Sequence, residues 1–251
     1  MKITFNILFW KGFDFENRLR NLEFSWFRLK KFVSYLKEKG IESECLLFDF
    51  SEENILPESI HIPYPDGVYK RSEKINRVLI HNKETYNPEI ICVLDSDIFF
   101  EEDQYDKFIQ IIKDLKDKEV LIPNLSDIID HNEVDFINKK INNPRTVNRG
   151  LGGLGAFFML RFNELFNVGG FDERFTIWGG EDDNISIRLS NNGCSVDRID
   201  IKLYHLPHQS MMPSAHKDSR YYEQIRLLNN QDIVTNSSLI SKKYLNESHI
   251  Y

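Results

Sequence analysis

The stretch EIICVLDSDIFF, residues 89–100, decides the fold that this sequence predicts. Residues 90–94 are apolar without interruption, a pattern typical of a central parallel strand that is covered on both faces. Asp95 and Asp97 follow at its carboxyl end, and in an extended conformation both carboxylates would leave the strand on the same side. Open α/β sheets bind ligands at this end of their strands, and two hard oxygen ligands there suit Mg²⁺ or Mn²⁺. A strand that simply ends in a polar turn is the alternative.

Strands and helices alternate around this stretch. ITFNILFW (residues 3–10) and IESECLLFDF (41–50) predict strands, and apolar positions three or four apart between them predict a helix that ends at Gly40. SEKINRVLIHNKE (72–84) predicts the next helix, and EDQYDKFIQIIKDLKDKE (102–119) and VLIPNL (120–125) predict a further helix and strand. This alternation with short connections predicts a doubly wound open α/β sheet.

The second half of the chain begins with a polar segment, Ser126 to Asn148, which we interpret as an excursion over the active face or a mobile loop. GAFFMLRFNELFNVGGF (155–171) then predicts an apolar strand, a short helix and a turn. A helix is expected from Glu181 to Asn192, followed by a strand over CSVDRIDIKLYHL (194–206) and a later helix over SRYYEQIRLLNNQDIV (219–234).

The composition limits the classes of protein that the chain can be. Its net charge of −7 argues against nucleic-acid binding, which normally requires a basic surface. Three cysteines placed far apart favour buried free thiols in a reducing compartment over a disulfide framework. MKITFNILFW predicts a first strand and not a signal peptide, and no apolar run reaches the ~18 residues needed to span a bilayer. We therefore expect a soluble, cytoplasmic protein that meets a membrane only through its substrate.

A histidine motif, YHLPHQS over residues 204–210, closes the last predicted strand of the sheet. It contains His205 and His208, and Pro207 between them prevents a regular helix. Neutral imidazole is a common ligand of borderline metals, and a histidine added to aspartate oxygens shifts the preference from Mg²⁺ towards Mn²⁺. Two partly exposed histidines in a turn would explain the motif without a metal. The Asp-x-Asp pair upstream favours the metal-binding interpretation.

An acidic cluster stands out in FTIWGGEDDNISIRL, residues 175–189. Glu181, Asp182 and Asp183 would occupy the first turn of a helix, where free N–H groups and the helix dipole stabilise anions, and capping alone explains them. Consecutive helical residues point about 100° apart, so three carboxylates cannot share one task. One is expected to act as a general base, another to bind a sugar hydroxyl and the third to buttress the turn. The preceding glycine pair allows close ligand approach, and the tryptophan before it offers a flat face for a sugar ring.

These motifs carry a resemblance to a known family. GGFDERFTIWGGEDDNISIRL, residues 169–189, resembles the C-terminal motif of the β-1,4-galactosyltransferases and their bacterial relatives among the family-two-like glycosyltransferases. VLDSDIFF before it and YHLPHQS after it stand in the order typical of that family, so the resemblance covers Ile90 to His208 most specifically. It implies the glycosyltransferase A (GT-A) fold, a Rossmann-like nucleotide-binding sheet merged with an acceptor-binding part. We accordingly expect a nucleotide-sugar-binding half over residues 1–125, an acceptor-binding and catalytic half over 126–235, and a tail over 236–251.

The resemblance also implies the roles of the site residues. Asp95 and Asp97 are expected to hold Mn²⁺ (or Mg²⁺) against a nucleotide diphosphate, with Asp97 the direct ligand and either His205 or His208 supplying an imidazole. Asp182 matches the catalytic base. The expected acceptor-binding residues are Trp178, Gly180, Glu181 and Asp183, and Trp178 also lies near the donor. Asn184 departs from the family pattern, since many members keep a third Asp there, and this puts the identity of the acceptor in question.

Weaker matches extend the resemblance towards the amino terminus and name further donor-binding candidates. These are Arg18 in RLRNL, Arg71 and Asn76 in YKRSEKIN, Ser96 between the two aspartates, and Asp49 after the second strand. A surface helix start or a capped helix explains the first two stretches equally well.

The resulting hypothesis is an inverting transfer of galactose or N-acetylgalactosamine from a UDP-sugar to a saccharide or lipid-linked saccharide, in surface polysaccharide or glycolipid synthesis. One alternative is a non-catalytic relative that binds nucleotide sugars or carbohydrates. Another is a phosphatase of the haloacid dehalogenase type, whose Asp-x-Asp motif also follows an apolar strand. That motif normally lies near the chain start and is followed by Thr or Val, whereas Ile98 follows here.

Overall fold

The fold is given by a computed structural model, which describes residues 1–12, 14–64, 70–130, 132, 134–141, 144–148, 154–177 and 179–209. The predictions for Trp178, for a helix over residues 219–234 and for the tail over residues 236–251 lie outside the described residues.

The regular elements alternate along the described chain much as the sequence predicts. The strands are β1 (Lys2–Phe9), β2 (Glu42–Asp49), β3 (Ile60–His61), β4 (Ile90–Asp95), β5 (Ile98–Phe99), β6 (Glu119–Ile128), β7 (Val134–Asp135), β8 (Lys140–Ile141), β9 (Thr146–Asn148), β10 (Phe157–Arg161) and β11 (Ser195–His205). The α-helices are α1 (Phe15–Glu38), α2 (Arg71–His81), α3 (Tyr105–Asp114), α4 (Phe162–Asn167) and α5 (Glu181–Asn191). A π-helical turn, Asn82–Tyr86, extends α2, and a 3₁₀ turn, Glu102–Gln104, precedes α3.

One mixed sheet organises the described chain, in the order β3-β2-β1-β4-β10-β6-β11-β5, with β9 beside β6. β1 pairs parallel with β2 and β4, and β11 pairs parallel with β6. β10 is antiparallel to both β4 and β6. The predicted α/β sheet is confirmed, and the structure adds that it is mixed: the antiparallel direction of β10 is not encoded in its apolar run of residues. The division after residue 125 falls inside β6, so both predicted halves share this sheet.

The prediction that β4 is covered on both faces is confirmed. Ile90, Cys92 and Leu94 face a core shared with α1 and α3, whereas Ile91 and Val93 face a core shared with α2, α4 and α5. All five side chains are at most 2% exposed. Burying apolar area on both faces of a strand stabilises its position by roughly 25 cal/mol per Å², which makes β4 the fixed frame of the sheet.

The long helix α1 forms where the apolar stripe predicts it. Leu22, Leu29, Val33 and Leu36 are buried along one side. The helix ends at Glu38, and Gly40, the second residue after it, adopts φ +76° while Ile41 N–H donates to Leu36 O at 2.9 Å, the geometry of a Schellman motif. Neither α1 nor any other described helix combines the length and apolarity needed to cross a membrane.

Two local expectations are corrected by the structure. The stretch over residues 89–100 is not one strand, because Ser96 and Asp97 form a turn between β4 and β5. Asp95 and Asp97 therefore do not project together from an extended chain. The polar segment over residues 126–148 is also more regular than expected within its described part: it prolongs β6, forms the β7–β8 hairpin and returns as β9.

Candidate active site

The candidate site lies at the edge of the sheet where the parallel strands end. Asp49, Asp95 and His205 are the last residues of β2, β4 and β11, and Asp127 is the next-to-last residue of β6. This is the edge at which open α/β sheets bind their ligands, so the topology gathers one imidazole and three carboxylates at the expected place.

A compact group at this edge is formed by Asp97, His205 and His208, whose ligand atoms all lie within 4.8 Å of one another. His208 Nε2 is 3.1 Å from Asp97 Oδ2, and His205 Nε2 is 3.5 Å from Asp97 Oδ1. The two Nε2 atoms are 3.2 Å apart. Both histidines that the sequence offers as alternatives therefore face the same carboxylate, and Asp95 is not in the group.

The outward nitrogens of both imidazoles are engaged, which decides what the inward nitrogens offer. His205 Nδ1 lies 2.9 Å from Asp127 Oδ1, and His208 Nδ1 lies 2.9 Å from Gln209 O. In the tautomer that carries its proton on Nδ1, each ring would offer its Nε2 lone pair to a cation. Asp97 Oδ1 is buried and accepts no hydrogen bond within the described chain. One carboxylate and two neutral imidazoles fit a divalent cation of the Mn²⁺ type.

The electrostatics of this group favour an ionised carboxylate. Burial alone raises the pKa of Asp97, but His205, His208 and Arg18 outweigh it and hold the pKa of Asp97 well below its ordinary range. Burial also lowers the pKa of His208, and the hydrogen bond and charge of Asp97 more than reverse that effect. A permanently charged carboxylate is the form that binds a cation.

Asp127 is a site residue that the sequence reasoning missed. Its carboxylate orients the His205 ring through Nδ1, a role that metal-ligating histidines commonly require. The signal was present: Asp127 stands near the end of a predicted strand, as Asp95 does. The sequence pattern places Asp127 in the polar segment over residues 126–148, because the predicted strand ends at residue 125.

Arg18, expected near the nucleotide, lies beside the metal-ligating group. Its Nη2 atom is 3.2 Å from His208 Nδ1. Arg18 belongs to the first turns of α1, which pack against the segment that follows β11. Its position is compatible with a contact to a bound diphosphate, and that contact stays a prediction.

A second centre surrounds Asp95 and Arg71 at the end of β4. Arg71 Nη1 donates to Asp95 Oδ1 at 2.6 Å, and Arg71 Nη2 donates to the carbonyl oxygen of Gly155. Burial raises the pKa of Asp95 and neighbouring Asp97 adds to this effect, while Arg71 opposes it. Arg71 thus connects the end of β4 to the residues that enter β10.

The start of α5 is built as the sequence predicts. Gly179 and Gly180 adopt φ +107° and +88°, a backbone that residues with a side chain rarely adopt, and the helix begins at Glu181. Glu181 is 4% exposed, and its carboxylate accepts a hydrogen bond from Gly179 N–H at 2.9 Å. Asp183 is exposed to solvent. The three acids therefore occupy three different environments.

Asp182 is the acid in the unusual environment. Its Oδ1 atom is buried and accepts no hydrogen bond within the described chain, and a Cβ atom placed on Gly155 would overlap its Oδ2 atom. Burial, with help from Glu181, Asp95 and Asp183, raises its pKa to about 7 against the opposing charge of Arg71. A carboxylate with a pKa near neutrality is suited to accept a proton.

The remaining predicted residues hold the frame of the site. Asn76, 1% exposed, bonds both backbone groups of Phe171, and Asp49 accepts hydrogen bonds from Ser51 N–H and Ile55 N–H. Ser96 is buried in the turn after β4. Asn184 is 3% exposed, so a third Asp at this position would add a buried charge beside Asp182. Ligand contacts by these residues stay predictions.

The comparisons with known proteins agree with this geometry. Residues 135–209 match the family model described as the N-terminal domain of galactosyltransferase, and the matched stretch contains Asp182, His205 and His208. No curated protein matches the chain.

Several solved structures are similar to this chain. S. aureus TarS 1–349 is 14% identical, with a TM-score of 0.54 over 91% of this chain and 64% of that one. GalNAc-T7 with UDP, GalNAc and Mn²⁺ is 15% identical, with a TM-score of 0.54 over 90% of this chain and 48% of that one. The catalytic domain of Drosophila β1,4-galactosyltransferase 7 in complex with xylobiose is 16% identical, with a TM-score of 0.47 over 78% and 64%. The chain thus spans less than two thirds of each.

The described chain has the α/β fold of the GT-A glycosyltransferases. The match over residues 135–209 confirms the resemblance to galactosyltransferases in that part of the chain and supports a glycosyltransferase.

Proposed function

We propose that this protein is a metal-dependent, inverting glycosyltransferase that moves galactose or N-acetylgalactosamine from a UDP-sugar to a saccharide acceptor. One observation carries the proposal: a carboxylate–imidazole group at Asp97 and a carboxylate with a raised pKa at Asp182 occur together at one edge of a GT-A sheet. The first suits a cation and the second suits a proton, which are the two requirements of this reaction.

The donor half of the proposal concerns the nucleotide and the cation. Asp97, His205 and His208 would hold Mn²⁺, which supplies neutralisation of the charge on the leaving diphosphate. The solved structure of GalNAc-T7 contains UDP, GalNAc and Mn²⁺ and supports this choice of nucleotide and metal. Arg18 and Arg71 are the cationic candidates for phosphate contact, and Ser96 lies between the two centres. Asn76 and Asp49 would act through the loops that they hold.

The chemical step that we infer is a single displacement. The acceptor hydroxyl oxygen forms a bond to the anomeric carbon while the bond from that carbon to the diphosphate oxygen breaks, which inverts the configuration. Asp182 takes the proton of the hydroxyl as the bond forms, a contribution of typically about 10²–10⁴-fold. Glu181 raises the pKa of Asp182 and Arg71 lowers it. Asp183, exposed beside Asp182, is the candidate for a hydrogen bond to the acceptor.

The acceptor and the setting complete the proposal. A growing surface glycan or lipid-linked saccharide would bring the protein to a membrane without a transmembrane helix. Cys45, Cys92 and Cys194 are free thiols, which supports a reducing compartment such as the cytoplasm.

Ligand-induced stabilisation of the full chain tests the donor half. Thermal unfolding is followed with UDP or GDP, each with and without Mn²⁺, because a ligand that binds only the folded state raises the midpoint. We expect UDP with Mn²⁺ to raise the midpoint more than either component alone, and Asp97→Asn to remove the effect. Asp103→Asn is the matched control, since it removes an exposed acid from the turn before α3.

Two results would contradict the proposal. The first is the absence of a shift with every nucleotide. The second is an equal UDP shift with and without Mn²⁺ in wild type and Asp97→Asn, which would leave a nucleotide-binding protein with no metal requirement.

A further inference from the structure

The segment that carries His208 is irregular, yet it is held on two sides. His205 ends β11, and residues 206–209 follow without regular structure. Leu206 N–H donates to Asp97 O at 2.9 Å, which ties the start of the segment to the turn after β4. The opposite side of the segment faces the first turns of α1.

Two side chains of α1 make the contacts on that side. Asn21 Nδ2 donates to Pro207 O at 3.0 Å, and Gln209 N–H donates to Asp14 Oδ2 at 2.8 Å. Asn21 lies in the second turn of α1, and Asp14 directly precedes the helix as its N-cap. They hold the backbone immediately before and immediately after His208. We call this pair the α1 clasp.

The conformation of Asp14 indicates that the clasp takes precedence over helix stability. Asp14 is the N-cap of α1, a position at which a carboxylate normally accepts a hydrogen bond from the first free N–H groups. Its side chain makes no such capping bond, and its backbone adopts the left-handed region at φ 58°. The carboxylate instead accepts hydrogen bonds from Gln209 N–H and from Asn17 Nδ2, the latter at 2.6 Å. A residue in this conformation is retained where the surrounding contacts require it.

Asn21 supports the same conclusion from the interior of the helix. Its side chain is fully buried, and a buried amide is costly unless it is hydrogen-bonded. An apolar residue would fill this position at lower cost if packing were its sole task. The carbonyl of Pro207 is the partner of its Nδ2 group, whereas its Oδ1 atom is buried and accepts no hydrogen bond within the described residues.

We propose that Asp14 and Asn21 are positioning residues that fix the backbone around His208 and thereby set the affinity of Asp97, His205 and His208 for a divalent cation. This inference rests on the metal site of the proposed function. Neither residue contacts the cation; each acts through the main chain of its ligand segment. Groups that orient metal ligands in this way typically contribute about 10–100-fold in metal affinity.

Direct binding of Mn²⁺ to the metal-free full chain tests the clasp without any assay of transfer. The fraction of free Mn²⁺ is read from its electron paramagnetic resonance signal in the absence of nucleotide. Asp14→Gly removes the acceptor while tolerating the left-handed backbone, and Asn21→Leu removes the donor while keeping a side chain of similar size. We expect each to weaken Mn²⁺ binding about tenfold, at the lower end of the range for ligand-orienting groups.

Two control variants separate geometry from charge. Asp14→Asn keeps an acceptor oxygen and tolerates the left-handed region, so near-wild-type affinity is expected, as a rescue relative to Asp14→Gly. Glu16→Gln removes a negative charge from the same helical turn at an exposed position, and it should also bind as wild type. Hydrogen exchange in the metal-free proteins adds a structural readout: the Gln209 amide should exchange faster in Asp14→Gly than in Asp14→Asn.

The outcomes are distinguishable from a failure of the proposed function. Wild-type binding together with unchanged affinity in both Asp14→Gly and Asn21→Leu overturns the clasp alone. Equal weakening in Asp14→Gly, Asp14→Asn and Glu16→Gln also overturns it, since charge then explains the effect. Absence of Mn²⁺ binding to the wild type overturns the metal site itself, and the clasp with it.

Discussion

Asp97 and Asp182 are the same residue type at the same edge of the sheet, yet their pKa values move in opposite directions. Burial raises the pKa of both. At Asp97 two imidazoles and Arg18 reverse the effect and lower the pKa, whereas at Asp182 the neighbouring acids add to it and raise the pKa to about 7. The partners, and not the degree of burial, therefore decide which carboxylate remains charged and which exchanges a proton near neutral pH.

The two centres are connected through Asp95. It lies two residues from Asp97, is bonded to Arg71 and contributes to the raised pKa of Asp182. The charge of Asp95 therefore links the electrostatics of the two centres. Substituting each aspartate in turn tests whether the two centres differ in this way.

The largest expected effect is on the transfer reaction of Asp182→Asn. The amide has the shape of the carboxylate but cannot accept the proton, so the rate of transfer should fall by about 10²–10⁴-fold. Binding of UDP with Mn²⁺, measured by thermal shift, should stay near that of the wild type. Asp103→Asn, which removes an exposed acid from the turn before α3, is the control. Loss of nucleotide affinity in Asp182→Asn would place this residue in the donor site instead.

An intermediate effect is expected on stability, with opposite signs at the two aspartates. Because the folded pKa of Asp182 is raised to about 7, its stabilising contribution is present below its ordinary pKa and is lost as the pH rises through 7. Asp182→Asn should therefore unfold a few degrees higher than wild type at pH 8, with about 2–4 °C corresponding to 1 kcal/mol, and the difference should be smaller at pH 5.

For Asp97 the sign is reversed. Its folded pKa is lowered, so its contribution is present above its ordinary pKa and is lost as the pH falls through the folded value. Asp97→Asn should consequently unfold at a lower temperature than wild type at pH 5, in metal-free buffer. Thermal unfolding of both variants at the two pH values is the measurement. A gain in midpoint for Asp97→Asn, or a loss for Asp182→Asn at pH 8, would contradict the comparison.

The last effect concerns the space beside Asp182. A methyl group at residue 155 would overlap Asp182 Oδ2, so Gly155→Ala should cost about 1–3 kcal/mol of unfolding free energy, as overpacking typically does. In an Asp182→Ala background the overlap is absent, and the cost should largely disappear. Chemical denaturation of the four proteins measures this coupling. An equal cost in both backgrounds would assign the effect to the backbone of residue 155.

Much of the fold could be predicted from the sequence because the spacing of apolar residues and the residues that begin and end helices are local features. The stripe of α1 with its terminal Gly40, the apolar run of β4 and the capped start of α5 all appear where the residues predict them. The direction of β10 could not be predicted in this way. Its pairing with β4 and β6 is decided by the path of the whole chain, and its own residues are apolar whichever way it runs.

The candidate site could be predicted as a set of residues more readily than as a geometry. Asp97, His205 and His208 come together as the motifs indicate, yet the turn at Ser96 separates Asp97 from Asp95. The role of Asp127 depends on how far β6 extends, which is the least certain part of a strand prediction. Asn21 lies in the RLRNL stretch, but its contact with Pro207 and that of Asp14 with Gln209 arise only where α1 meets the segment after β11.

The antiparallel course of β10 changes what reaches the sheet edge. The neighbouring strands β4 and β6, which run antiparallel to β10, end at this edge. β10 begins at this edge, and Gly155, whose carbonyl oxygen accepts a hydrogen bond from Arg71, lies just before its first residue. One strand therefore begins at this edge of the sheet, whereas its neighbours end there. Substitutions at Gly155 therefore alter the space beside Asp182 without changing the residues that end the parallel strands.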